Sequence, residues 1–170
     1  MKEKLIFSKL TKDDVHACME LFVKEYNRVD LFDRPDLQKK LISEIPEMNA
    51  TTARKLELNE QFGFCIKNEQ NKIIGFIIIT EPNYIRKLAV AEEYQHKGLA
   101  SELVEMIRER NEGKTLVVHA AEKVIPFYEK LGFVIDGEID KESYPFCPMM
   151  LKGRGKERDN EVIRQTVFSK

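Results

Sequence analysis

The stretch Leu88-Ala-Val-Ala-Glu-Glu-Tyr-Gln-His-Lys-Gly-Leu-Ala-Ser101 runs from a strand through a polar loop into an amphipathic helix, whose apolar positions Leu99, Leu103 and Ile107 recur at helical spacing. Gly98 and Ala100 keep the corner between loop and helix free of bulk. Backbone N–H groups can therefore approach an anion there, and the positive end of the helix favours its charge. A pyrophosphate fits such a corner. Taken alone, a small-residue helix start also serves a tight turn feeding a packed helix, so the flanking elements decide between the two.

Upstream, Tyr84 to Val90 reads as the strand itself, entered from a Glu81-Pro-Asn83 turn. Before it lies an antiparallel hairpin: Phe62, Phe64 and Ile66 alternate, Asn68 to Asn71 is turn-rich, and Lys72 to Thr80 is a β-branched run. Leu5 to Leu10 predicts a short strand, and Thr11-Lys-Asp-Asp14 a capping box that opens a helix with Val15, Cys18, Met19, Phe22 and Tyr26 on one face. A second helix follows Arg34-Pro35, with Leu37, Leu41, Ile45 and Met48 at helical spacing until Pro46 interferes; residues 49 to 61 have no clear period. Downstream, Thr115 to His119 is a buried-looking strand. A helix around Lys123 to Leu131 carries Pro126 in its first turn and stops at Gly132. Phe133 to Ile135, an Asp136-Gly137 turn and Pro145 to Leu151 close the pattern as strands. A meander followed by one strand-helix-strand crossover implies an α/β fold, a mixed sheet with helices on both faces.

The 170 residues, 42% hydrophobic and 34% charged, suit one domain, which we set at residues 1–151, with residues 152–170 as a tail. Twenty-eight Lys and Arg against 29 Asp and Glu leave a net charge of -1, so no global field draws the chain to nucleic acid or to an anionic membrane. Cys18, Cys65 and Cys147 are odd in number and lie among apolar neighbours, which predicts a reducing, cytoplasmic setting. Without a C-x-x-C or an i, i+4 pair among His16, His96 and His119, no metal is expected. No apolar run approaches the ~20 residues of a membrane span. In the tail, Val162 to Phe168 is apolar-rich and suits docking on a sheet edge or on a second copy, so a homodimer is one outcome and a frayed terminus the other.

Gln95-x-x-Gly98-x-Ala100 after Leu88-Ala-Val90 resembles the acetyl-coenzyme A motif of the GNAT acetyltransferase superfamily, and Ala121-Glu-Lys-Val-Ile-Pro-Phe-Tyr128-Glu-Lys-Leu-Gly-Phe133 is similar to that family's closing helix and following strand. The resemblance covers roughly Leu5 to Leu151. It implies a sheet splayed between Tyr84–Val90 and Thr115–His119, with the pantetheine arm of acetyl-CoA in the gap. Leu88, Ala89 and Val90 would offer it backbone bonds, one N–H polarising the thioester carbonyl. Gln95, His96, Lys97, Gly98, Leu99 and Ala100 would line the pyrophosphate, with Ser101 as a hydroxyl donor and His96 and Lys97 as cations at the rim.

Tyr128 matches the tyrosine that protonates the leaving thiolate, a role suited to a phenol that keeps its proton at neutral pH. Where some relatives carry a glutamate base this chain has Tyr84, which leaves Glu81, His119 or a water relay to take the amine's proton. Ala121 stands where the family often has an asparagine on the pantetheine arm, and Cys147 on the last strand is either a neighbour of the acceptor pocket or a small buried apolar residue. The implied reaction is acetyl transfer from acetyl-CoA to an amine of a small molecule or peptide by direct attack in a ternary complex; the alternative is a noncatalytic acyl-CoA sensor. Arg28 to Glu60, the region that chooses the acceptor in relatives, holds seven acidic and six basic residues, so its charge alone selects no acceptor.

Overall fold

The computed structural model describes residues 2–29, 33–139 and 144–153. Seven strands form one sheet in the order β1-β2-β3-β4-β5-β7-β6, where β1 is Ile6–Lys9, β2 Gln61–Lys67, β3 Ile73–Thr80, β4 Tyr84–Val90, β5 Leu116–Ala121, β6 Val134–Ile135 and β7 Phe146–Leu151. β1 to β4 pair antiparallel as a meander, β4 and β5 run parallel, and β7 lies antiparallel between β5 and β6. The chain crosses from β4 to β5 through a helix, as parallel neighbours require. β3 is central and buried from Ile73 to Ile79 on both faces, which explains its unbroken β-branched run.

Five helices cover the sheet: α1 (Val15–Arg28), α2 (Pro35–Ser43), α3 (Ile45–Glu57), α4 (Leu99–Arg110) and α5 (Ile125–Lys130). α1 packs on β3 and β4 and against α3, while α4 packs on β2, β3 and β4 from the other face and α5 packs on β5. The capping box forms as expected: the Asp14 carboxylate accepts from the Thr11 N–H at 2.8 Å and from its hydroxyl at 3.1 Å, starting a 3-10 turn that feeds α1. The Asn68 side-chain oxygen accepts from the N–H groups of Gln70 and Lys72, both at 3.0 Å, and closes the β2–β3 turn.

Pro46 does not end a helix; it sits in the first turn of α3, which runs on through the stretch without clear period to Glu57. The first-turn N–H has no intrahelical partner, so its absence there is harmless, and the break falls instead at Glu44. Among the described residues no helix is long and apolar enough to cross a membrane. The apolar stretch of the tail, Val162 to Phe168, lies outside the described residues.

Candidate active site

β4 and β5 pair only at Tyr84 with Val117 and at Ile85 with Val118. That end is held shut by Asn83, whose carbonyl accepts from the Val117 N–H at 3.0 Å and whose side-chain amide donates to the Thr115 carbonyl at 3.1 Å. Just beyond, the register of β3 on β4 skips Arg86, since Ile78 faces Lys87 and Ile79 faces Ile85. An extra residue of this kind bends and twists its strand, and β4 here leaves β5. Leu88, Ala89 and Val90 then pair with Ile77, Phe76 and Gly75 of β3, and their other edge opens toward the gap, where an extended ligand can bond as a strand would.

At the open end stands the loop. Gly98 adopts φ +81 as the cap of α4, and a Cβ built there would meet nothing within 4 Å. The corner is thus both left-handed, a conformation glycine adopts freely, and empty. His96 is also left-handed, with φ +61, and His96, Lys97 and Ser101 are exposed around the corner while Leu99 is buried in the core. The Gln95 side chain is engaged inward: its amide donates to the Val90 carbonyl at 2.7 Å and to Glu25 at 3.0 Å, and Glu25 in turn binds Arg28 at 2.7 Å. Gln95 therefore pins the loop to the end of β4 and to α1. The clamp joins residues 70 positions apart, which no local pattern reveals.

Tyr128 is buried on α5 with its ring 5.1 Å from Phe127 and 5.3 Å from Phe133. Burial, followed by the nearby phenols of Tyr26 and Tyr84, holds its pKa far above the usual tyrosine range, so the hydroxyl stays protonated. His119 is the first residue of β5 past the last pair with β4; it is exposed, its ring 5.2 Å from that of Tyr84. The structure does not bring Glu81 to this opening. It lies before β4 at the closed end, where Arg110 grips both carboxylate oxygens at 2.6 and 3.2 Å. Ala121 ends β5 without a side chain that could bond a ligand, and Cys147 is buried on β7 opposite Ala120.

A model of the acetyltransferase (GNAT) domain matches residues 33–152. The chain belongs to the GNAT acetyltransferase family. It is an acyltransferase by that membership, and its splayed sheet is the fold of solved members. A GCN5-related N-acetyltransferase from Rhodopseudomonas palustris is 17% identical with TM-score 0.73, the match covering 91% of this chain and 99% of that one. The PaiA N-acetyltransferase of Thermoplasma acidophilum, solved with coenzyme A, is 17% identical with TM-score 0.69 over 89% of this chain and 99% of that one. The spermidine N-acetyltransferase of Vibrio cholerae, solved with CoA and spermine, is 18% identical with TM-score 0.57 over 86% and 93%. No curated protein matches the chain.

The GNAT chain also carries a buried lysine on the splayed strand. Lys87 is 6% exposed, its ammonium lies 5.3 Å from the Phe22 ring centre, and it forms no ion pair among the described residues. Burial, then the charge of Arg86, lowers its pKa from 10.5 to about 8. Between these values the unfolded chain binds more protons than the folded one, so this group's penalty is full below about pH 8 and fades as pH rises toward 10.5. The drop corresponds to about 3 kcal/mol, offset by roughly 1 kcal/mol of cation–π attraction. Lys87→Met should accordingly be about 2 kcal/mol more stable than wild type in urea melts at pH 7, with the difference shrinking by pH 10. A gap that does not shrink would show that the Lys87 charge is not what destabilises the fold.

Proposed function

We propose that the protein moves an acetyl group from acetyl-CoA to an amine by direct attack in a ternary complex. The observation that carries this reading is the open edge of Leu88 to Val90, with the empty Gly98 corner beyond one end; Tyr128, buried on α5 where that helix packs on β5, keeps its proton. The coenzyme A present in the Thermoplasma and Vibrio structures supports the same use of the groove.

On this reading pantetheine lies along the free edge of β4, and an N–H near Leu88 polarises the thioester carbonyl, where charge develops on the tetrahedral intermediate. The backbone of Gln95 to Ala100 and the first turn of α4 hold the pyrophosphate, with Ser101, His96 and Lys97 at its margin. An amine that arrives protonated gives a proton to His119, the base candidate that stands at the opening; Glu81, held by Arg110, takes no part. The nitrogen lone pair then forms the C–N bond. The C–S bond breaks with its electron pair on sulfur, which receives the Tyr128 proton, and the second proton of the attacking nitrogen restores the phenol. The desolvation that keeps Tyr128 protonated also raises the proton affinity of a thiolate beside it, so the transfer is not opposed by the site.

The test is release of coenzyme A thiol from acetyl-CoA with and without added amines. The proposal predicts amine-dependent release. A protein that binds acetyl-CoA and releases no thiol with any of a broad set of amines is the noncatalytic sensor instead.

A further inference from the structure

The open edge of β4 has a definite end. Ala91 donates its N–H to the Ile74 carbonyl at 2.8 Å, so Ala91 is turned toward β3. In an antiparallel strand the N–H and C=O of one residue point to one edge and those of the next residue to the other, and the register from Lys87 to Val90 is unbroken. Lys87 and Ala89 therefore turn their backbone groups to β3, and Leu88 and Val90 turn theirs to the gap. One of these groups is already engaged: the Val90 carbonyl accepts from the Gln95 side-chain amide at 2.7 Å. Gln95 stands where the next bond of an added strand would fall, and leaves an extended ligand the Leu88 N–H and carbonyl and the Val90 N–H.

What holds Gln95 there is α1. An amide nitrogen has two hydrogens to give, and the Gln95 nitrogen serves both the Val90 carbonyl and Glu25 Oε1, the latter at 3.0 Å. Turned over, the amide would set its oxygen against a carbonyl and a carboxylate, so these two acceptors fix its orientation. The same Glu25 oxygen takes the Arg28 guanidinium at 2.7 and 3.1 Å, and Arg28 reaches on to Glu92 at 3.4 Å, the first residue of the 3-10 turn that begins the loop. The Glu25 side chain is only 13% exposed, where charge-assisted bonds are screened less than on open surface. The backbone needs this support. His96 at φ +61 and Gly98 at φ +81 are both left-handed, and a loop of this kind keeps its shape only where its surroundings over-determine it.

Resting on the acetyl-transfer reading, we propose that Glu25, with Arg28, is a positioning residue for acetyl-CoA: from α1 it sets the Gln95 amide on the Val90 carbonyl, and so fixes both where the strand-like bonding of pantetheine stops and where the pyrophosphate loop begins. Glu25 acts through Gln95 and touches no ligand itself. Loss of its carboxylate frees the amide to turn, uncovers the Val90 carbonyl and unties the loop from α1. Acetyl-CoA must then order the loop as it binds, and its affinity falls in proportion to the share of molecules whose loop already has the competent shape.

The test is calorimetric titration of acetyl-CoA into wild type, Glu25→Ala, Glu25→Gln, Gln95→Ala and the double variant Glu25→Ala/Gln95→Ala. Each alanine variant should raise Kd by about tenfold, and the double variant should lie within about twofold of the weaker single one, because both substitutions cut the same tie. Glu25→Gln, whose amide oxygen still accepts from Gln95, should stay within about threefold of wild type. A residue that merely stabilised α1 would add its loss to that of Gln95→Ala instead of sharing it. Should Glu25→Ala not fold, Arg28→Ala takes its place in the cycle with the same overlap expected. Wild-type affinity in Glu25→Ala, additive losses in the double variant, or a Glu25→Gln as weak as Glu25→Ala would each overturn this assignment, and binding of acetyl-CoA by wild type would leave the transfer reading standing. Failure of acetyl-CoA to bind wild type would overturn both.

Discussion

Gly98→Glu should leave the protein folded and remove the stabilisation that acetyl-CoA gives the wild type. A ligand that binds only the folded chain raises its stability by about 2.7 kcal/mol at a hundredfold excess over Kd, a rise of several degrees in Tm for a protein of this size. Gly98 marks the place where that ligand's phosphates fit: its φ of +81 turns the loop into α4, and the space a side chain would enter is empty. A glutamate fills that space with bulk and negative charge. Strain from a non-glycine residue in the left-handed region is of order 1–2 kcal/mol, so the unliganded variant should melt only slightly lower. Calorimetric titration that gave the variant an affinity equal to wild type would move the anion site away from the start of α4.

Tyr128→Phe should lower turnover by about 10²–10⁴-fold while acetyl-CoA binds as before. The substitution keeps the ring that packs at 5.1 Å on Phe127 and 5.3 Å on Phe133, and removes only the hydroxyl proton. Because burial holds the Tyr128 pKa far above the usual range, wild-type activity should show no alkaline loss from its ionisation below pH 10. Turnover within about twofold of wild type, measured with an amine whose acetylated product has been isolated, would leave Tyr128 a packing residue of α5.

Local pattern carried most of the fold. The alternation at Phe62 to Ile66, the β-branched run of β3 and the helical spacing of Leu99, Leu103 and Ile107 are each set by a face that must be buried, so they can be read without coordinates. α3 was obscured because Pro46 stops a helix or starts one depending on where the first turn falls, and the break at Glu44 that settles it has no signature of its own.

The site divides in the same way. Gly98 and Tyr128 are legible because backbone freedom and a phenolic proton are properties of the residue itself. Gln95 was legible as part of a motif, but its work as a clamp depends on Glu25 and Arg28, brought from α1 by the fold. Glu81 in its turn and His119 at its strand end are equal candidates by residue type, and only the direction in which the sheet opens separates them, with Arg110 closing on one and the gap adjoining the other.

Direct transfer from the thioester to an amine in the groove between β4 and β5 is tested most directly by a single-turnover reaction. Enzyme in excess over acetyl-CoA is mixed with an accepted amine and quenched over time; free thiol, N-acetylated amine and the intact mass of the protein are measured in each sample. Thiol and acetylated amine should appear together in equal amounts, with the protein mass unchanged throughout. Thiol released ahead of product with an acetyl group on the protein that later passes to the amine, or thiol released with no acetylated amine at all, would contradict it.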